Sequence, residues 1–370
     1  MKKEKRMSAR RGAAVLVVLA MILTAVIVPG SVSAYGPSTM YTPGSSAPTP
    51  GSLYARAIQL ANQSTTSNNG KMYATFEQYS SGTPVFPIYE STNSGQSWTQ
   101  VGSVQDTVNG WGMRYQPQLF ELPQAIGSLA KGTLLCAGNS IPNDLSKTKI
   151  DLYKSTDLGR TWSYVSSIAS GGRADPSGAY DPVWEPFLMV YNNKLICFYS
   201  DETDSAHSQK IVHKTSTNGT SWGSLVEDVA LSTQNYRPGM PVVAKMANGQ
   251  YIMTFEVVNY ASTNPIFFKT SSNPESWNAS SVGTQISGGR GTPYVAVMPN
   301  GKVVVSDWST DNLYVNSSNG SGSWTKVACT ITHGYSRCLL PLANGRLFTI
   351  RGSVNPTTKA GVVYGDQATP

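Results

Sequence analysis

Two glutamates occupy positions where an ionised carboxylate is costly. Glu185 lies in Tyr180-Asp181-Pro182-Val183-Trp184-Glu185-Pro186-Phe187, walled by aromatic and proline residues. Glu256 closes the run Tyr251-Ile252-Met253-Thr254-Phe255 and is followed by Val257-Val258, so every neighbour but itself reads as core. A carboxylate in such surroundings is strongly disfavoured unless it is paired or used. Two acids facing one glycosidic bond can hydrolyse it. At a separation of roughly 5–5.5 Å one acts as nucleophile and the other as acid/base, and configuration is retained. The bland alternative makes both glutamates structural, each ion-paired to an arginine, Arg237 beside Glu185 for instance.

Glu185 and Glu256 are distant in sequence, so a repeating framework has to bring them together. Its marker is Ser155-Thr156-Asp157-Leu158-Gly159-Arg160-Thr161-Trp162, a polar turn closed by a large aromatic directly after the strand-like run Ile150 to Lys154. Asp157 can accept turn N–H groups, Gly159 can take a positive φ, and Trp162 packs the start of the next strand. Looser copies run from Ser91 to Trp98, Ser216 to Trp222, Ser271 to Trp277 and Ser317 to Trp324, with tryptophan spacings of 64, 60, 55 and 47 residues. That is the scale of one four-stranded propeller blade. These turns resemble the Asp box of sialidase-fold β-propellers and are structural.

The expectation is therefore an all-β, six-bladed, sialidase-like β-propeller over residues 53–370. Its blades span about Tyr54–Gly102, Met113–Ile168, Tyr180–Leu225, Tyr236–Gly283, Arg290–Val327 and Tyr335–Asp366. Turns at Asn193-Lys194, Asn248-Gly249, Asn300-Gly301 and Asn344-Gly345 read as hairpins between first and second strands. The last repeat supplies three strands. Part of Ser38 to Thr42, within the Pro/Ser/Gly-rich leader 35–52, is predicted to pair beside them and close the ring, leaving no free edge.

In such a propeller, first-strand starts and second-strand ends converge on one funnel. The first set carries Arg56, Arg114, Glu185, Arg237, Arg290 and Arg337, and the second carries Glu77, Asp201 with Glu202, Glu256 and Asp307. Charged residues are only 13% of the chain, yet they gather there. Around them Trp111, Tyr115, Tyr180, Trp184, Tyr236, Tyr294, Trp308 and Tyr335 can offer flat faces to a sugar. The expected catalytic pair is Glu185 and Glu256. The expected substrate-binding set is Arg56, Glu77, Arg114, Tyr180, Asp181, Trp184, Tyr236, Arg237, Arg290, Tyr294, Tyr335 and Arg337.

The formal charge of +7 comes largely from residues 1–34. There a basic start (Lys2, Lys3, Lys5, Arg6, Arg10, Arg11) precedes the apolar run Ala13 to Val28 and a small-residue site, Val32-Ser33-Ala34, the layout of a cleaved secretory signal peptide. Without it the charge is +2 by the same residue count, which argues against a nucleic-acid partner; the apolar run is short and carries no stop-transfer flank, which argues against a retained membrane anchor. A secreted monomer is expected. Cys136 and Cys197 sit in apolar runs as buried thiols, and Cys329 with Cys338 leaves a disulfide open. His207, His213 and His333 are scattered, so neither a metal cluster nor a Ser-His-Asp triad is supported.

Tyr-Asp-Pro-Val-Trp-Glu-Pro at 180–186, Tyr-Arg-Pro-Gly-Met-Pro at 236–241, Thr-Phe-Glu at 254–256 and the Trp turns resemble glycoside hydrolase family 93, the exo-α-1,5-L-arabinanases. The resemblance implies a retaining, cofactor-free enzyme that removes arabinobiose from the non-reducing end of linear arabinan, with Glu185 as nucleophile and Glu256 as acid/base. The rival is a sialidase, with an arginine triad from Arg56, Arg237 and Arg290 or Arg337, and Tyr335 as nucleophile assisted by Glu256. Against it, the chain after residue 34 has no Asp before Asp106 to serve as acid/base, and Tyr54-Ala55-Arg56-Ala57-Ile58 lacks Arg-Ile-Pro. A non-catalytic sugar-binding propeller is the third reading.

Overall fold

A computed structural model describes residues 34–370, so the signal-peptide expectation lies, but for Ala34, outside the described residues. After an N-terminal strand β1 (Ser38–Tyr41), blade one holds β2 (Ser52–Gln59), β3 (Met72–Gln78), β4 (Phe86–Ser91) and β5 (Thr99–Val104). Blade two is β6 (Met113–Glu121), β7 (Leu134–Ser140), β8 (Thr148–Ser155) and β9 (Ser163–Gly171). Blade three is β10 (Val183–Tyr191), β11 (Lys194–Asp201), β12 (Lys210–Ser216) and β13 (Val226–Val229), and blade four is β14 (Arg237–Lys245), β15 (Tyr251–Val258), β16 (Pro265–Ser271) and β17 (Thr284–Arg290). Blade five is β18 (Tyr294–Val297), β19 (Val303–Ser306), β20 (Asn312–Asn316) and β21 (Thr325–Ala328). Blade six takes β22 (Cys338–Pro341), β23 (Leu347–Arg351) and β24 (Val362–Gln367).

These strands form six four-stranded antiparallel sheets, the last in the order β1-β24-β23-β22. The ring is thus closed by the N-terminal strand, with Ser38 opposite Tyr364 and Tyr41 opposite Val362. Tyr35 strengthens the seam, donating its N–H to Asp366 Oδ1 at 2.9 Å and its hydroxyl to the Ser94 carbonyl at 2.7 Å. Apolar faces of neighbouring sheets form the core. Trp98 of blade one packs on Phe348 and Tyr364 of blade six, with ring centroids 5.7 and 5.9 Å apart, and Phe268 of blade four packs on Trp324 of blade five at 5.5 Å.

The marker turn behaves as its residue types dictate. Asp157 Oδ1 accepts from the Thr161 N–H at 2.9 Å and from Ser155 at 2.7 Å, and the Trp162 indole donates to the Gly159 carbonyl at 3.0 Å. Asn93 makes the same bonds in blade one, so an amide oxygen serves as well as a carboxylate. At Asn192-Asn193, φ is +46° and +60°, giving a two-residue hairpin that joins Tyr191 to Lys194. The four cysteines are free thiols.

Two blade ends lie beyond the sequence reading, the first being that of blade three, whose outer strand β13 begins only after the expected end at Leu225. Blade four runs on to Arg290, because its outer strand β17 follows a long connection after Trp277. Arg290 therefore ends an outermost strand and does not begin an innermost one.

Candidate active site

Each innermost strand begins with a departure from regular pairing. Tyr54, Gln116, Glu185 and Met240 sit in register breaks of β2, β6, β10 and β14, while Thr292 and Ser336 stand two residues before β18 and β22. All six have a left-handed backbone, with φ between +43° and +62°. Non-glycine residues in this region are strained, and bulges of this kind re-aim side chains and free N–H groups. Here they form a ring at one mouth of the propeller.

Their N–H groups hold three carboxylates. Gln116 donates to Glu77 Oε1 at 2.7 Å, Met240 to Glu185 Oε2 at 2.6 Å, and Thr292 to Glu256 Oε2 at 2.7 Å. Glu185 also accepts from Ser200 at 2.6 Å and from the Tyr54 hydroxyl at 3.2 Å, and its own N–H donates to Gln116 Oε1 at 3.2 Å. Gly239 permits the approach. A Cβ there would stand 3.1 Å from Glu185 Oε2, and in the β14–β15 ladder Gly239 lies directly opposite Glu256. The two glutamates, from adjacent blades, thus line one cavity.

That cavity has a volume of about 340 Å³ and is also lined by Tyr54, Glu77, Tyr79, Tyr115, Trp184, Arg237 and Tyr335. Its electrostatics are unusual. Burial, reinforced by the charge of Glu185, lifts Glu256 to about 7. Burial lifts Glu185 as well, against the opposing pull of Ser200, Met240 and Tyr54, and raises Glu77 to about 7. Tyr335 is held well above the usual phenol range by burial and by all three glutamates. Glu185 and Glu256 are half-buried and open to the cavity, whereas Glu77 is 1% exposed and bonded to the Tyr79 hydroxyl at 2.8 Å.

Of the residues expected to bind substrate, Glu77, Trp184, Arg237 and Tyr335 join the pair in this cavity. Arg237 does not pair with Glu185. It forms a bidentate bridge to Glu202, at 2.7 and 2.8 Å, and Glu202 in turn accepts the Trp184 indole N–H at 2.6 Å. Arg56 lies beneath the cavity between the rings of Tyr54 and Tyr294, each 5.1 Å away, and donates to Ser336, so Arg56 and Tyr294 support the floor. Arg337 is 0% exposed and spent on the carbonyls of Ile331 and Asn312. Arg114 bonds Asn143, Tyr180 and Asp181 are exposed outside the cavity lining, and Tyr236 packs at a tilt against Tyr260. Arg290 faces a second cavity. The arginines of the sialidase reading therefore do not converge, each being tied to different partners or facing elsewhere.

Tyr54, Tyr79, Gln116, Ser200, Gln209 and Met240 were not legible as site residues. Laying the six repeats in register on their bulge positions would have found Tyr54, Gln116 and Met240. Among the described residues, no group of three or more His, Cys, Asp or Glu side chains could hold a metal ion.

Propeller and paired cavity carboxylates together define a glycoside hydrolase of the sialidase-like propeller class. No protein-family profile and no curated relative matches the chain. Solved structures do. An α-L-arabinanase of Penicillium chrysogenum complexed with arabinobiose is 39% identical with a TM-score of 0.84, over 91% of this chain and 99% of that one. The GH93 α-L-arabinofuranosidase of Fusarium graminearum with arabinobiose is 36% identical at the same TM-score, over 90% and 98%. The chain belongs to glycoside hydrolase family 93. The sialidase NanB of Streptococcus pneumoniae, at 11% identity and a TM-score of 0.59 over 91% of this chain and 71% of that one, shares the fold alone.

Proposed function

We propose that the chain is a secreted, monomeric, retaining exo-α-1,5-L-arabinanase that releases arabinobiose from the non-reducing end of linear arabinan. The observation that carries this is the asymmetry of the two cavity carboxylates. Glu185 accepts three hydrogen bonds, each favouring its charged form, whereas Glu256 accepts one and is lifted to about 7. An acid that keeps its proton near neutrality beside a carboxylate gripped by three donors is the division of labour that double displacement requires.

In the first step Glu185 attacks the anomeric carbon. The glycosidic bond breaks, Glu256 gives its proton to the departing oxygen, and a glycosyl ester on Glu185 results. In the second, Glu256 takes a proton from water, the hydroxide attacks the same carbon, and Glu185 leaves as a carboxylate. Two inversions give net retention. Glu77, Trp184, Arg237 and Tyr335 shape and support the sugar site. The arabinobiose-bound relatives support the choice of sugar.

Residues 1–34 act as the export signal in this reading. Among the described residues no helix is long and apolar enough to cross a membrane. Cleavage after Ala34 would leave a positively charged α-amino group where the Tyr35 N–H now meets Asp366. The deciding experiment is product analysis on debranched arabinan. Arabinobiose alone supports the proposal, a ladder of lengths would make the enzyme endo-acting, and turnover of a sialoside instead would revive the rival.

A further inference from the structure

A second cavity of about 350 Å³ opens on the same face, lined by Asn264, Arg290, Trp308, Ser309, His333 and Asn355 among others. It borders the first. Gly291 stands between them: a Cβ there would lie 2.9 Å from the Trp308 indole and 3.3 Å from Glu256 Oε2. Pro356 lines the first cavity and its neighbour Asn355 the second. Glycine, at φ +56°, lets the backbone pack between Glu256 and Trp308, where any side chain would displace one of them.

The second cavity is built like a sugar platform. Trp308 is 36% exposed, although large apolar side chains are rarely so open in this chain. Its indole N–H and the Arg290 guanidinium make no hydrogen bond or ion pair among the described residues, so both donors are free for a ligand. A flat ring beside unpartnered donors suits a saccharide, whose C–H face stacks while its hydroxyls are bonded.

We propose that this cavity binds the leaving part of the arabinan chain, with Trp308 as the stacking platform and Arg290 as a hydroxyl-binding donor. The inference rests on the exo-arabinanase reading with Glu256 as acid/base. An acid/base touches the departing oxygen, so the residual polysaccharide must leave on the Glu256 side, across Gly291 and onto Trp308. Arabinobiose, held on the other side of the cleaved bond, does not reach it.

The test compares arabinotriose with a longer linear arabinooligosaccharide, such as the hexaose, in the full enzyme and in Trp308→Ala, Trp308→Phe and Arg290→Ala. Loss of one stacking surface should lower kcat/KM on the hexaose by about tenfold, mainly through KM. The triose, which places one sugar beyond the cleaved bond, should be less affected, and product inhibition by arabinobiose should be unchanged. Trp308→Phe, which keeps a ring, should recover part of the loss. An unchanged hexaose-to-triose ratio, or weakened arabinobiose inhibition, overturns the assignment. Absence of turnover on every arabinan substrate by the unaltered enzyme would instead sink the exo-arabinanase reading on which it stands.

Discussion

Met240 donates its backbone N–H to Glu185 Oε2 at 2.6 Å across the seam between blades three and four. The relation recurs around the ring, from Gln116 to Glu77 and from Thr292 to Glu256, always from a left-handed residue of one blade to a carboxylate of the blade before it. Strain at three of the six inner-strand starts therefore has a use: it turns a backbone N–H inward to fix an acid. The carboxylates are held by backbone, which cannot be lost by a side-chain rotation.

The first consequence concerns the pair itself. Glu185→Gln and Glu256→Gln keep an oxygen for the Met240 or Thr292 N–H, so melting temperatures should stay near that of the unaltered protein. Turnover should fall by roughly 10²–10⁴. With an aryl glycoside as substrate, azide should rescue the alanine variants differently. Glu185→Ala should give a glycosyl azide of inverted configuration and Glu256→Ala one of retained configuration. Retained activity in both glutamine variants would remove the catalytic assignment, and exchanged stereochemistry would swap the roles.

A second concerns pH. Glu256 releases its proton at about 7 in the folded chain, against 4.5 ordinarily, so kcat/KM should decline on the alkaline side as the acid is lost. The acid limb should lie above 4.5, because Glu185 is also raised. Stability follows the same shift. Between about 4.5 and about 7 the folded state holds a proton that the unfolded chain has released, so stability is greatest below this window and is lost as pH rises through it. Glu77 is raised to about 7 as well, so Glu256→Gln should reduce that slope, without abolishing it, in melting curves taken across the window. An identical slope in the variant would place the raised acid elsewhere.

The parts of this arrangement that depend on repeat and polarity could be read in sequence; those that depend on local strain could not. The Trp turns and the alternating runs define six sheets, and the missing strand of blade six points to Ser38–Tyr41. Glu185 and Glu256 are conspicuous because each is an acid in apolar company. Gln116 and Met240 are not, since nothing in a glutamine or methionine announces a left-handed backbone. Arg290 was misplaced because β17, Thr-Gln-Ile-Ser-Gly-Gly-Arg, has too little apolar alternation to read as a strand. The arginines look alike in sequence, and only contacts separate Arg337, spent on carbonyls, from Arg290, whose guanidinium makes no hydrogen bond among the described residues and lines the second cavity.

Arg237 gives a third prediction. Its bridge to Glu202 is buried, and Glu202 also orients Trp184. Arg237→Ala leaves an uncompensated buried carboxylate, a loss of about 3–5 kcal/mol, read as a lower midpoint in denaturant unfolding. Adding Glu202→Gln should restore much of that stability, while activity stays reduced because Trp184 has lost a charged partner. A single variant as stable as the unaltered protein would mean that Arg237 is held for the substrate and not for Glu202.

The last prediction concerns closure. β1 supplies the outer strand of blade six, and Tyr35 ties that blade to blade one through Ser94. A chain beginning at Pro43 would leave the β24 edge, Val362 to Gln367, without its partner and would remove the N–H that meets Asp366. Exposed edges template association. The shortened protein should melt at least a few degrees lower and form larger species in size-exclusion chromatography, while its freshly purified monomer keeps kcat, because β1 contributes nothing to the cavity. Unchanged melting and a monomeric profile would show that blade six is stable with three strands and that the N-terminal strand is dispensable to the ring.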